Sequence, residues 1–174
     1  MNIAKSRLAW VSACAAATGA LVTGLIAVQA EATTSTVKST QLVQATVLPT
    51  TLWGHGKTAA GDRWGVLLAT YGKSDGYVVD NQFAPDQTTG WHSHLGPSVI
   101  FVVSGTVTNY ESSAPDCAGR TYSAGTSFTD PGGTDVHMLR NETGLPAETI
   151  AVQFIPSGQP RRIDSPNEPA NCHV

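Results

Sequence analysis

His92 and His94 are the first residues whose type and spacing suggest chemistry. They stand as His92-Ser93-His94, between Gly90 and a Gly96-Pro97 turn. Side chains of an extended segment alternate with period two, so an H-x-H pair presents both imidazoles on one face. Two neutral imidazoles aimed the same way are a start for a divalent metal site. The bland alternative is a surface strand with two solvated histidines, and the pair alone does not decide. A third histidine, His137, follows the turn Pro131-Gly132-Gly133 and opens a short extended run with Leu139 and Asn141 on its face. His55 lies between two glycines in an expected loop and reads as solvated, and His173 sits in the tail. Asp130, Asp135 and Tyr110 are available as acids or bases, but each reads more simply as a turn or strand-surface residue.

The stretches Gly90 to Tyr110 and Gly125 to Asn141 together resemble the two sequence motifs of the cupin superfamily. The first motif runs glycine, five residues, H-x-H, three or four residues, glutamate, six residues, glycine. His92, His94 and Gly105 match it; Ser98 stands where the family has glutamate, and the leading glycine spacing is not met. The second runs glycine, five residues, P-x-G, two residues, histidine, three residues, asparagine. Gly125, Pro131, Gly133, His137 and Asn141 match it, with one extra residue before His137. The resemblance covers roughly Tyr77 to Pro156. It implies an all-β, cupin-like double-stranded β-helix, a jelly-roll barrel with a metal at its centre. By the same resemblance His92, His94 and His137 are the ligands of a divalent transition metal: iron, manganese, nickel, copper or zinc. The implied functions are a metal-dependent small-molecule enzyme such as a dioxygenase or, alternatively, a non-catalytic small-molecule or metal-binding module.

The elements that must position these residues read as short strands broken by turns. Trp64 to Tyr71, Tyr77 to Ala84, Val99 to Val103, Thr106 to Tyr110 and Ala147 to Pro156 are strand candidates. The run Val99 to Val103 is apolar on both faces, and a strand buried on both sides needs a second cover. That cover must come from the N-terminal arm or from a second subunit, which leaves a homodimer open.

The chain of 174 residues suits one domain, with 13% charged residues, 17 glycines and 10 prolines. Such a composition suggests a turn-rich β protein rather than a disordered one. The net charge of −3 and the lack of a basic stripe argue against nucleic acid as a partner and leave a small molecule. Residues 1–30 read as a signal peptide, with Lys5 and Arg7 ahead of an uncharged run and cleavage sites at Ala30 and Ala32. An uncleaved anchor and a lipoprotein built on Cys14 are the rival readings. Residues 31–44 are expected to be a flexible leader, and residues 45–174 the barrel domain with its C-terminal tail. Cleavage would leave a secreted or extracytoplasmic protein, off the membrane. Its two cysteines, Cys117 and Cys172, would form an even pair suited to a disulfide. Two free thiols, or a metal pair with His173, are the alternatives.

Overall fold

The computed structural model describes residues 34–174, so the expected signal peptide and Cys14 lie outside the described residues. Two five-stranded antiparallel sheets face each other. The first has the order β1 (Lys38–Val47), β4 (Ser74–Phe83), β11 (Ala147–Pro156), β6 (Ser98–Ser104), β9 (Ser127–Asp130). The second has the order β12 (Ile163–Asp164), β5 (His92–Ser93), β10 (His137–Arg140), β7 (Thr106–Glu111), β8 (Arg120–Ser123). A separate hairpin joins β2 (Thr50–Lys57) to β3 (Arg63–Thr70). Without β1, β12 and the hairpin, eight strands remain in the orders β4-β11-β6-β9 and β5-β10-β7-β8. Two Greek keys wound in that way are a jelly roll. No helix among the described residues is long and apolar enough to cross a membrane.

Period-two alternation builds the core. Along β11, Ala147, Thr149, Ala151, Gln153 and Ile155 are buried while the alternate residues Glu148, Ile150, Val152 and Phe154 are half-buried. Register then stacks inward residues into rows across the first sheet. Val79 pairs with Ala151, Ala151 with Ile100, and Ile100 with Phe128, an apolar row in the core cluster. The next row is polar: Tyr77, Gln153, Ser98, Asp130. It faces the histidines of the second sheet across the barrel.

Three expectations change. Residues 38–44, expected in a flexible leader, form most of β1, whose backbone pairs with β4 from Lys38 onward. Backbone pairing at a sheet edge needs no apolar period, and the stretch has none to read. His55, expected in a loop, lies in β2 opposite Gly65, where two flanking glycines suggest a turn but a ribbon accommodates them. Among the described residues the N-terminal arm leaves the outer face of β6 open: Val99, Phe101 and Val103 are 37%, 46% and 50% exposed.

The tail after β11 packs on the outer side of the second sheet. Trp91, Tyr110, Cys117, Met138 and Cys172 form a second buried cluster there. Cys117 and Cys172 are joined by a disulfide, with Cα atoms 5.0 Å apart. The bridge closes a loop across 55 residues, and loop-closure entropy for that length stabilises by about 4 kcal/mol. Replacing both cysteines by serine should lower unfolding free energy by roughly that amount. Denaturant titration checks it, and coincident curves for the oxidised and cysteine-free proteins would contradict it.

Candidate metal centre

His92 belongs to β5 and His137 to β10, and they are direct cross-strand partners. Direct partners have the same facing, so both rings point into the barrel. The extra residue before His137 is taken up in the turn around Gly132 and Gly133, both at positive φ. A Cβ at Gly132 would lie 2.4 Å from the Gly96 carbonyl oxygen, so only glycine lets these two loops meet. Gly133 N–H donates to the His94 carbonyl at 2.7 Å, which ties the turn to the H-x-H segment. Six residues before His92, where the first motif has glycine, stands Asp86 at φ 61°. The left-handed conformation is kept there by a residue type that tolerates it.

The three rings lie 4.4 to 5.4 Å apart between centroids. All three residues are buried, and one ligand atom from each lies within 4.8 Å of the others. Their protons can be assigned from their partners. His92 Nδ1 lies 2.8 Å from the Gly90 carbonyl and His94 Nδ1 lies 2.6 Å from the Arg161 carbonyl. A carbonyl only accepts, so each Nδ1 carries the proton and each Nε2 keeps a lone pair. That is the protonation state a metal requires, with the second nitrogen anchored by an outer partner. His137 Nδ1 is buried without a hydrogen-bond partner. An orphaned buried ring nitrogen beside two lone pairs fits a cation site. A divalent transition ion therefore fits His92, His94 and His137; among the described residues no ligand set built on His55 or His173 converges in this way.

Asp130, available in the sequence as an acid or base but read there as a turn or strand-surface residue, also lines the cavity. It is 5% exposed, at the end of β9 opposite Ser98. Its Oδ2 lies 4.0 Å from His94 Nε2 and its Oδ1 3.8 Å from His137 Nδ1. The inward parity it shares with Phe128 was the available signal, overlooked because Asp130-Pro131 reads as a turn. Asp135 stays half-buried at the edge of this group, and the Tyr110 hydroxyl donates to Glu142 at 2.6 Å on the far side of the second sheet.

Gln153 orders the remaining polar groups. Its Oε1 accepts from Arg161 at 2.9 Å, which turns its amide nitrogen toward Ser98 Oγ at 3.0 Å and His94 Nε2 at 3.3 Å. Arg161 and Arg162, expected as a solvated or tail-docking pair, are docked and line the mouth of the cavity. Arg162 donates to the Thr89 carbonyl at 2.6 Å. The cavity holds about 40 Å³, room for two or three waters.

Burial sets the titration of these groups. It holds His92 well below 6.5, helped by His137 and Arg162. It holds His137 down to about 4, with His94 adding to the effect. His94 is lowered by burial, against its bond to the Arg161 carbonyl. Burial raises Asp130 above its ordinary 3.8.

No family model and no curated protein matches the chain. Among solved structures, it is similar to a conserved protein with a double-stranded β-helix domain from Klebsiella pneumoniae. That match has 19% identity over 52% of this chain and 74% of that one, with a TM-score of 0.44. It is also similar to a Cupin 2 conserved barrel domain protein from Salinispora arenicola, at 16% identity over 70% and 76% with TM-score 0.44. An oxalate oxidase matches at 23% identity with TM-score 0.41, over 52% of this chain and 45% of that one. This chain thus spans less than half of the oxalate oxidase, and likeness at these levels is one of fold. The strand order itself defines the fold class, a jelly-roll double-stranded β-helix, and it brings His92, His94 and His137 together inside it.

The depressed histidines give a pH dependence. In the fold they bind fewer protons near neutrality than in the unfolded chain, where they titrate near 6.5. Stability therefore rises with pH across this window. Their contribution is complete above 6.5 and is lost as pH falls through about 4 for His137. Asp130 acts with the opposite sign, so a variant isolates the histidine part. Metal-stripped protein should lose denaturant resistance steadily across that interval, and His137→Gln should flatten the slope. An unchanged slope in the variant would contradict the assignment.

Proposed function

We propose that this chain is an exported, metal-binding cupin-type protein that acts on a small anionic molecule as a metal-dependent enzyme, such as a dioxygenase. The observation that carries the reading is the convergence of His92, His94 and His137 on a closed cavity with Arg161 and Arg162 at its mouth. A bound divalent ion there supplies Lewis acidity or, if redox-active, electrons for oxygen chemistry. Three neutral imidazoles leave the ion its full charge. The two arginines add to it and Asp130 only partly offsets it, so the cavity favours an anion. The arginine on Gln153 fixes which way that amide points, and the volume limits the ligand to a few heavy atoms. The disulfide is compatible with an oxidising compartment and hence with export.

Ser98 in place of the motif glutamate favours a second reading, a barrel that holds a metal or ligand without turnover. Oxygen uptake by iron-loaded protein across a panel of small carboxylates separates the two. Elemental analysis of the exported protein, with an N-terminus near residue 31 or 33, tests what they share. One divalent transition ion per chain is expected. His92→Ala, His94→Ala and His137→Ala should each lower metal content sharply, while His55→Ala and His173→Ala should leave it intact. Full occupancy in His137→Ala would sink the site.

The same chain carries a surface suited to a second copy of itself. Val43, Val78, Val152 and Val99 are successive cross-strand partners and form an apolar row over the outer face of the first sheet. The β2–β3 arm exposes Leu52, Trp53, Trp64 and Leu67, and a lone two-stranded ribbon is marginal in water. Its eight-residue strands span about 26 Å, within the roughly 33 Å of ten-residue β4 and β11. At its tip Lys57 pairs with Arg63, like charges that favour carboxylates such as Asp80 and Glu148 on the outer face. An arm from one protomer laid on the sheet of its partner would bury both surfaces. Light scattering should give a dimer mass, and Phe101→Glu should give a monomer with metal retained. A monomeric wild-type protein at micromolar concentration would refute this.

A further inference from the structure

Arg161 and Arg162 are neighbours at the mouth of the cavity, but the fold uses them differently. Arg162 is satisfied by the protein itself. Its Nε pairs with Asp164, and its Nη2 donates to the Thr89 carbonyl at 2.6 Å. It has a counter-ion, and it ties the tail to the segment just before His92.

Arg161 has no such partner. It is half-buried, and a guanidinium carries five N–H donors. Among the described residues its side chain makes one hydrogen bond, from Nη1 to Gln153 Oε1 at 2.9 Å. The ion pairs of the described residues include Arg162 but not Arg161. Asp130, the acid inside the cavity, stands beside His94 and His137 instead. A cation partly withdrawn from water, next to a second arginine and without an anion, is uncompensated charge. Its place is nevertheless fixed at two points. Its carbonyl accepts from His94 Nδ1 at 2.6 Å, and Gln153 holds its guanidinium. A group held in position with most of its donors unspent is preorganised for a ligand from outside.

The cavity chooses among anions. A guanidinium fork matches two oxygens of one group through parallel N–H···O bonds. One row along the first sheet from Gln153, the wall becomes apolar, with Ala151, Ile100 and Phe128. That wall offers nothing to the remaining oxygens of a phosphate. A carboxylate places both of its oxygens on the fork and turns carbon toward the wall. The cavity volume of about 40 Å³ keeps that carbon chain short.

We propose that Arg161 is the ligand-binding residue of the mouth, gripping the carboxylate of a short-chain acid through its guanidinium fork, while Arg162 holds the tail in place. The inference rests on the anion reading given under the proposed function and narrows it to one residue and one kind of anion.

Calorimetric titration of acetate into zinc-loaded protein tests this. Arg161→Gln should weaken acetate binding about 10- to 100-fold, the loss expected for hydrogen bonds to a charged group. Arg161→Lys keeps the charge but not the fork, and should still weaken binding several-fold. Arg162→Gln should lower thermal stability and leave acetate affinity within about threefold, because a charge that does not touch the ligand is screened. Inorganic phosphate should bind the wild-type protein more weakly than acetate. All variants should take up zinc fully, because the carbonyl that anchors His94 is backbone and survives each substitution.

Acetate affinity unchanged in Arg161→Gln would overturn the proposal, as would an equal loss in Arg162→Gln. Arg161→Lys binding as tightly as wild type would remove the fork, and phosphate binding more tightly than acetate would remove the carboxylate. A zinc-loaded wild-type protein that ignores acetate defeats this inference and leaves the three-histidine site standing. A protein that takes up no zinc defeats the three-histidine reading, and the same titrations on the metal-free chain then decide this one by the same variants.

Discussion

Three imidazoles buried within a few ångströms of one another impose the constraint on which the rest of the site depends. Buried together without an anion for each, they cannot all be protonated near neutrality, so they stay neutral and offer lone pairs. Burial and mutual repulsion hold His92 and His137 low. The same lone pairs make the cluster a poor stopping point by itself: His137 Nδ1 is buried and unpartnered. A cation resolves that conflict, and everything around the site either aims the lone pairs inward or limits what else can enter.

Aiming is done by backbone carbonyls and by the tail. The Gly90 carbonyl fixes the His92 ring, and the Arg161 carbonyl fixes the His94 ring. Arg161 belongs to the segment after β11, and the tail that follows is anchored to the Ser112–Arg120 loop by the Cys117–Cys172 bridge. The tail thus performs two tasks at opposite ends. Its cysteine staples the outer face of the second sheet, and its two arginines close the mouth of the barrel. A small jelly roll with a polar row through its interior benefits from such external support, because Gln153, Ser98 and Asp130 replace apolar packing where the barrel opens.

Much of this was legible in the sequence, for physical reasons. The H-x-H pair and His137 were readable because strand parity and a glycine-rich turn constrain where side chains point. The jelly roll followed from motif resemblance and from short strands broken by turns. Asp130 was harder to read: it shares parity with Phe128, but next to Pro131 it looks like a turn residue, and its pairing with Ser98 is what places it on the inner face. The leader was misjudged because β1 is held by backbone pairing to β4 rather than by apolar burial, so its exposed residues carry no period. His55 was misplaced because glycine on both sides signals a turn, yet in β2 those glycines lie in a ribbon whose cross-strand partners include Val66 and Trp64. Asp86 shows the converse case. The motif's glycine is missing from the sequence there, but the backbone conformation that glycine would serve is kept at φ 61°.

The central claim is that one divalent ion is bound by His92, His94 and His137. X-ray absorption at the edge of the metal that copurifies with the protein tests it most directly. The account predicts nitrogen and oxygen neighbours at about 2.0 to 2.2 Å, outer-shell scattering that fits three imidazoles, and no sulfur. A first shell containing sulfur near 2.3 Å, or one without imidazole scattering, would contradict it.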